Sequence, residues 1–242
     1  LIKQKNKLNM KKAISFFIAL LLSYFSYAQA KKIYSVTSGE WILSFANVKE
    51  NGIEASSVPR FSPVFNFQNL VNYDMTDKFG LIAGLGFRNV GFIYDKPNSN
   101  ERWKYRTYNI GIPIGFKIGN MEGGRFLYAG YELEIPVNFK SKKFVNEDKT
   151  DKSSVWFSQQ VTTFNSALFV GVQLPLGGNL KFKYYLSNFF NKDYTAQDTS
   201  GNPYKPYQDM NVNVFYFSLN FFILKNTHFY YKKGDNSHTA SR

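Results

Sequence analysis

The sequence predicts an all-β protein, an eight-stranded antiparallel up-and-down transmembrane β-barrel, and three observations carry that prediction. Eight segments alternate between bulky apolar residues and small or polar ones, the pattern of a strand with two unlike faces. The seven links between those segments alternate long and short. A basic, then apolar, then small-residue stretch precedes them all, and that order describes a secretory signal peptide.

Residues 1–30 read as the leader. Met10 is the natural start, followed by Lys11 and Lys12, an apolar run from Ala13 to Leu22 and a small-residue site at Ala28-Gln29-Ala30. The run is too short to span a bilayer comfortably as a helix. Five of the lysines behind the net charge of +13 lie in residues 1–12, so the chain after them carries +8. Its lysines are dispersed between strands rather than gathered on a helix, which argues against nucleic acid as a partner.

The barrel is expected over residues 31–224. Its first strand sets Trp41, Leu43 and Phe45 against Ile42, Ser44 and Ala46. The second sets Phe61, Phe65, Phe67, Val71 and Tyr73 against Ser62, Asn66, Gln68 and Asn72, and the third sets Phe79, Leu81, Leu85 and Phe87 against Gly80, Gly84, Gly86 and Arg88. The fourth, "YNIGIPIGFKIG" from Tyr108 to Gly119, is the most regular: Ile110, Ile112, Ile114 and Phe116 oppose Asn109, Gly111, Gly115 and Lys117. Pro113 within it removes a ladder hydrogen bond, so a local bulge or an inward water is expected there. Leu127, Tyr131, Leu133 and Ile135 oppose Glu132 and Glu134 in the fifth strand; Phe164, Leu168, Val170 and Val172 oppose Asn165, Gly171 and Gln173 in the sixth. Leu180, Phe182 and Tyr184 face away from Lys181 and Lys183 in the seventh. The eighth carries Phe215, Phe217, Leu219 and Phe221, with Val212 and Val214 on the opposite parity. Ten strands result if "VWFSQQV" or "IYSVTS" contributes. Residues 225–242 read as a basic C-terminal tail.

Each strand supplies roughly the 9–11 residues that a tilted crossing needs, and closure removes the unpaired edges that lipid does not tolerate. Aromatics make up 19% of the chain, with 25 Phe and 17 Tyr, an excess suited to rings at a membrane–water boundary. Trp103, Tyr105 and Trp156 are read as part of such a girdle. There is no cysteine, so neither a disulfide framework nor a thiolate metal site is available.

"GEWILSF", "RFSPVFNF", "GLIAGLGFRNVGFIYD" and "YNIGIPIGFKIG" resemble small Gram-negative outer-membrane β-barrel proteins of the PorT-like or porin-family type. The resemblance covers about Gly39 to Leu224 and is most specific over Arg106 to Gly119. It implies an outer-membrane barrel with no catalytic residues to carry over. It also implies insertion by the barrel-assembly machinery, which reads a terminal aromatic residue. Here Phe221 and Phe222 are followed by "KNTHFYYKKGDNSHTASR", a departure from that ending.

The expected lumen carries Arg88, Lys117, Glu132, Glu134, Lys181 and Lys183. Buried charges must pair, so the bland reading, an internal ion-pair network that fills the barrel, outweighs a solute path or an acid/base pair. Ile110, Ile112, Ile114, Phe116, Phe217 and Leu219 are expected to face lipid. Lys140, Lys142 and Lys143 sit at a strand-to-loop junction, where solvation is the default and lipopolysaccharide phosphate the interesting partner. The chain's two histidines, His228 and His238, follow the last expected strand, so a histidine-dependent triad is not expected. No cofactor or metal site is expected. The sequence thus suggests a filled outer-membrane barrel with a structural or interaction role through its long loops. A narrow channel and a soluble lipocalin-like ligand-binding barrel are the alternatives; the latter turns its apolar face inward.

Overall fold

The computed structural model describes residues 32–230. The leader and residues 231–242 of the expected tail lie outside the described residues. Eight strands form a closed ring: β1 Lys32–Glu50, β2 Phe67–Asp74, β3 Phe79–Asp95, β4 Glu101–Asn120, β5 Arg125–Val145, β6 Asn165–Gln173, β7 Asn179–Tyr185 and β8 Met210–Tyr230. Each pairs with its sequence neighbours, and β8 pairs with β1 to close the ring. From β1 through β8 each consecutive pair is antiparallel. The barrel is therefore eight-stranded and up-and-down.

Neither candidate extra strand enlarges the ring. "IYSVTS" is the start of β1, and Val155 and Trp156 end a strand, Asp148–Trp156, that pairs only with the far half of β5. β8 continues past the expected Leu224 boundary to Tyr230. The second expected strand is broken instead of continuous: Arg60–Ser62 pairs with β1, and β2 restarts at Phe67 after Phe65 takes a φ of 61°.

Short turns close one end of the barrel at residues 75–78, 121–124 and 174–178. In the first, the Phe79 amide donates to Thr76 Oγ1 at 2.9 Å. At the other end parts of the expected long links are themselves strand. β3, β4 and β5 run on beyond the ring, and β5 turns into Asp148–Trp156 through Asn146 and Glu147, whose φ values are 50° and 71°. Positive φ at both central residues matches the type I′ turn that suits a twisted hairpin.

Pro113 produces no bulge, because the β3–β4 register is the same on both sides of it: Ala83 opposes Ile114 and Gly86 opposes Gly111. The irregularity lies between Tyr108 and Asn109, where the partner strand passes from Pro136 to Asn138 and Val137 is the extra residue. A bulge re-aims every side chain beyond it. Phe139 thereby turns inward, to 1% exposure.

The two faces of the ring separate cleanly. Ile110, Ile112, Ile114, Phe116, Phe217 and Leu219 are all exposed, with Ile114 at 61%. From Tyr108 to Ile118 β4 rises about 33 Å, at ~3.3 Å per residue. With the ~40° tilt of barrel strands this is about 25 Å of height, the size of a membrane-facing apolar band.

Candidate functional site

The inner face has three layers. In the middle, Arg88, Glu132, Glu134 and Lys183 are at most 1% exposed and Lys181 is 4% exposed. The Arg88 guanidinium donates to Glu132 Oε1, to Glu134 Oε1 at 3.4 Å, to Glu40 through Nη2 and Nε at 3.2 and 3.3 Å, and to Gln68 Oε1 at 2.7 Å. Lys183 Nζ donates to Glu132 Oε2 at 2.7 Å and Glu134 Oε1 at 2.5 Å. Lys181 Nζ donates to Glu40 Oε1 at 2.6 Å. Glu134 Oε2 also accepts from Asn109 Nδ2 and Tyr185 Oη, each at 2.7 Å.

Three carboxylates thus meet three cations, and the cluster is formally neutral. Removing each ion from water costs several kcal/mol, which only close pairing with further hydrogen bonds offsets. Glycine makes the room. A Cβ on Gly111 would collide with the Glu132 carboxylate, and one on Gly86 with the Arg88 guanidinium. The cluster ties six strands together, β1 through Glu40, β2 through Gln68, β3, β4 through Asn109, β5 and β7. It leaves no carboxylate without a cation, so it offers no free base for proton transfer.

Lys117 does not belong to this cluster. It lies nearer the short-turn end, 2.5 Å from Asp74 Oδ1 and donating to Asn72 Oδ1 and Tyr34 Oη at 2.9 Å each. That end opens into a cavity of about 370 Å³ lined by Tyr34, Ser38, Asn72, Gln173, Asn179 and Asn220, among others, and reaching Gln68. Gln68 Oε1 accepts from Arg88 and Lys181, so the ion cluster caps the cavity from above.

The third layer, at the long-loop end, is apolar. Ile42, Val90, Phe92, Tyr94, Tyr105, Phe139, Val212, Val214 and Tyr216 pack with Val161, Phe189 and Phe190 from the connecting loops. Phe190 stacks on Tyr207 with centroids 4.3 Å apart and meets Tyr105 edge-on at 4.9 Å. Tyr105, at 5% exposure, is therefore a core residue rather than a girdle ring, and Trp103 stacks on it. Trp156, by contrast, is exposed.

The three lysines of the strand-to-loop junction separate. Lys143 follows the inner row of β5, opposite Trp103, with Nζ 2.7 Å from Glu101 Oε1. Lys140 and Lys142 follow the outer row, opposite Arg106 and Lys104. The bulge at Val137 sets this division.

Glu40, Gln68 and Asp74 were missed as partners, although alternation marks all three. Trp41 and Leu43 face outward, so Glu40 must face inward, and the same parity places Gln68 and Asp74 opposite Phe67 and Tyr73. Among the described residues no group of His, Asp and Glu side chains has the arrangement to hold a metal ion.

The chain matches no protein-family model and no curated protein, so the PorT-like resemblance has no family model behind it. Solved outer-membrane structures are similar in outline. The Ail attachment invasion locus protein of Yersinia pestis aligns at 14% identity over 81% of this chain and 100% of its own, with a TM-score of 0.35. Outer membrane protein OprG of Pseudomonas aeruginosa aligns at 13% identity over 80% and 98%, with a TM-score of 0.36. Acinetobacter baumannii CarO2 aligns at 9% identity over 81% and 100%, with a TM-score of 0.39. At these scores the likeness adds nothing to the eight-stranded ring that the chain's own register establishes.

Proposed function

We propose that this chain is an outer-membrane β-barrel with a closed lumen, acting structurally or as an interaction platform through the strands and loops beyond its apolar band. One observation carries the reading: the closed ring hides a paired ion cluster and exposes its bulky apolar rows. A soluble ligand-binding barrel has the opposite arrangement, and water-soluble monomers rarely expose an apolar belt of this extent. Hydrocarbon is the solvent that suits it. The closed lumen is supported by two successive seals, the fully buried ion layer and the aromatic layer above it. With its cations and carboxylates engaged with one another, the interior is given no catalytic role, and insertion is assigned to the barrel-assembly machinery.

Cell fractionation followed by gel electrophoresis with and without boiling tests the reading. The expected result is a membrane-bound protein whose mobility changes on heating. A soluble protein with no heat-dependent shift would overturn it. Planar-bilayer recording tests the seals: the expected trace stays at background, and reproducible conductance steps would replace the closed lumen with a narrow pore.

A further inference from the structure

We propose that the outer face of the β4–β5 extension, with Asp148–Trp156 beside it, is a docking surface for the phosphorylated headgroups of outer-leaflet glycolipid. The proposal rests on the membrane reading above and deepens it by naming the partner of that face. Two cross-strand rows form the surface. Arg106 lies opposite Lys140, and one row further out Lys104 lies opposite Lys142, which lies opposite Lys152. Like charges directly opposite one another destabilise a sheet, and a face that merely met water would intersperse both signs.

The acids of the extension lie outside these two rows. Glu101 pairs with Lys143, and Asp151 lies opposite Lys143 on the same inner row. Asp95, on the outer row, is held by Arg102 at 2.6 Å. The Lys142 ammonium is held below the usual lysine range by burial first and then by Arg106, Lys152, Lys149 and Lys104. Rings partly offset the crowding. Arg106 and Lys140 lie over Tyr108 at 5.7 and 5.0 Å, and Lys104 lies over Phe144 at 4.5 Å. An incoming anion would relieve what the sheet itself leaves uncompensated.

Height selects a lipid anion over a soluble one. Arg106 and Lys104 continue the outward row of Ile112, Ile110 and Tyr108. They stand two and four residues beyond Tyr108, about 5 and 10 Å above the top of the apolar band with the same rise and tilt. The headgroup layer occupies roughly the 5–8 Å beyond the hydrocarbon, within reach of long cationic side chains.

The test uses the full chain refolded into phosphatidylcholine vesicles containing graded amounts of a bisphosphorylated glycolipid. Binding is read as the glycolipid concentration at half-saturation. Each cation near an anionic surface contributes about fivefold in affinity, so the double variant Lys104→Gln, Lys142→Gln should bind about 25-fold more weakly. Lys143→Gln, on the inner row, should bind as the parent does. Without glycolipid the double variant should be at least as stable as the parent, because a repulsive pair is gone. Equal binding by parent and double variant, or an equal loss in Lys143→Gln, overturns the proposal. Competition by soluble polyphosphate at concentrations matching the glycolipid overturns the lipid assignment. Failure of the parent to give a heat-shifted band in any vesicle removes the membrane reading and the docking surface with it. Insertion without preference for the phosphorylated lipid removes the docking surface alone.

Discussion

Strands β3, β4 and β5 each run from the ring into the extension, and β4 and β5 reverse their pattern between the two. Within the ring, the exposed rows carry Leu81, Leu85, Ile110, Ile114, Leu127 and Ile135, and the hidden rows carry Arg88, Lys117, Glu132 and Glu134. Beyond Tyr108 the hidden rows carry Phe92, Tyr94, Tyr105 and Phe139. The outward rows now carry Lys104, Arg106, Lys140 and Lys142. β4, with an unbroken two-residue period, and β5, across the bulge at Val137, thus exchange an apolar outside for a charged one. The difference teaches that the period fixes which residues share a face, whereas the surrounding medium fixes which face is apolar. On the proposed membrane reading, hydrocarbon lies outside the ring and confines polar groups to its interior. Where water lies outside, the ordinary hydrophobic preference returns and the interior becomes an aromatic core.

The sharpest break in the comparison comes from the lower interior. Arg88→Met leaves three buried carboxylates facing two lysines, and it should cost about 3–5 kcal/mol, measured by urea titration of the heat-modifiable band. A loss under about 1 kcal/mol would mean that the cluster is not what holds the middle layer. In the upper interior, Phe190→Ala should cost about 3 kcal/mol by opening a cavity in the aromatic core. That loss should be the same in micelles and in bilayers, since neither touches the ring.

The outer face gives the medium-dependent counterpart. Ile112→Arg should cost roughly 2–4 kcal/mol in a bilayer, whereas Lys104→Ile on the same row of the extension should change stability by less than about 0.5 kcal/mol. Equal tolerance at both positions would erase the proposed boundary at Tyr108. Inside the lumen a small effect is expected at Asn109→Ser. It removes the amide donor to Glu134 Oε2 while that carboxylate keeps Lys183, Arg88 and Tyr185, and it should cost about 1 kcal/mol.

Much of this was legible from alternation. The eight strands, the parity of each and the inward placement of Arg88, Glu132, Glu134, Lys181 and Lys183 follow from counting in twos. Glu40 was equally legible and was lost because the first strand was started at Trp41, whereas β1 begins at Lys32. The girdle assignment of Tyr105 went wrong for a different reason. Its parity is that of Asn109 and Lys117, but an aromatic ring on the inner row signals nothing about whether the lumen beside it is polar or apolar. Phe189 and Phe190 lie in a long polar link, and nothing local to them foretells a place in the barrel mouth.

The sequence by itself determined the ring: a strict two-residue period leaves a strand no choice about which side chains lie together, and the alternation of long and short links orders the strands. Only the tertiary structure decided how the interior is layered and which lysines face outward. Those outcomes depend on contacts between residues far apart in the chain. Arg88 finds Glu40 and Glu132 across the lumen, Phe190 folds back from a loop onto Tyr105, and a single extra residue at Val137 reverses the faces of the rest of β5.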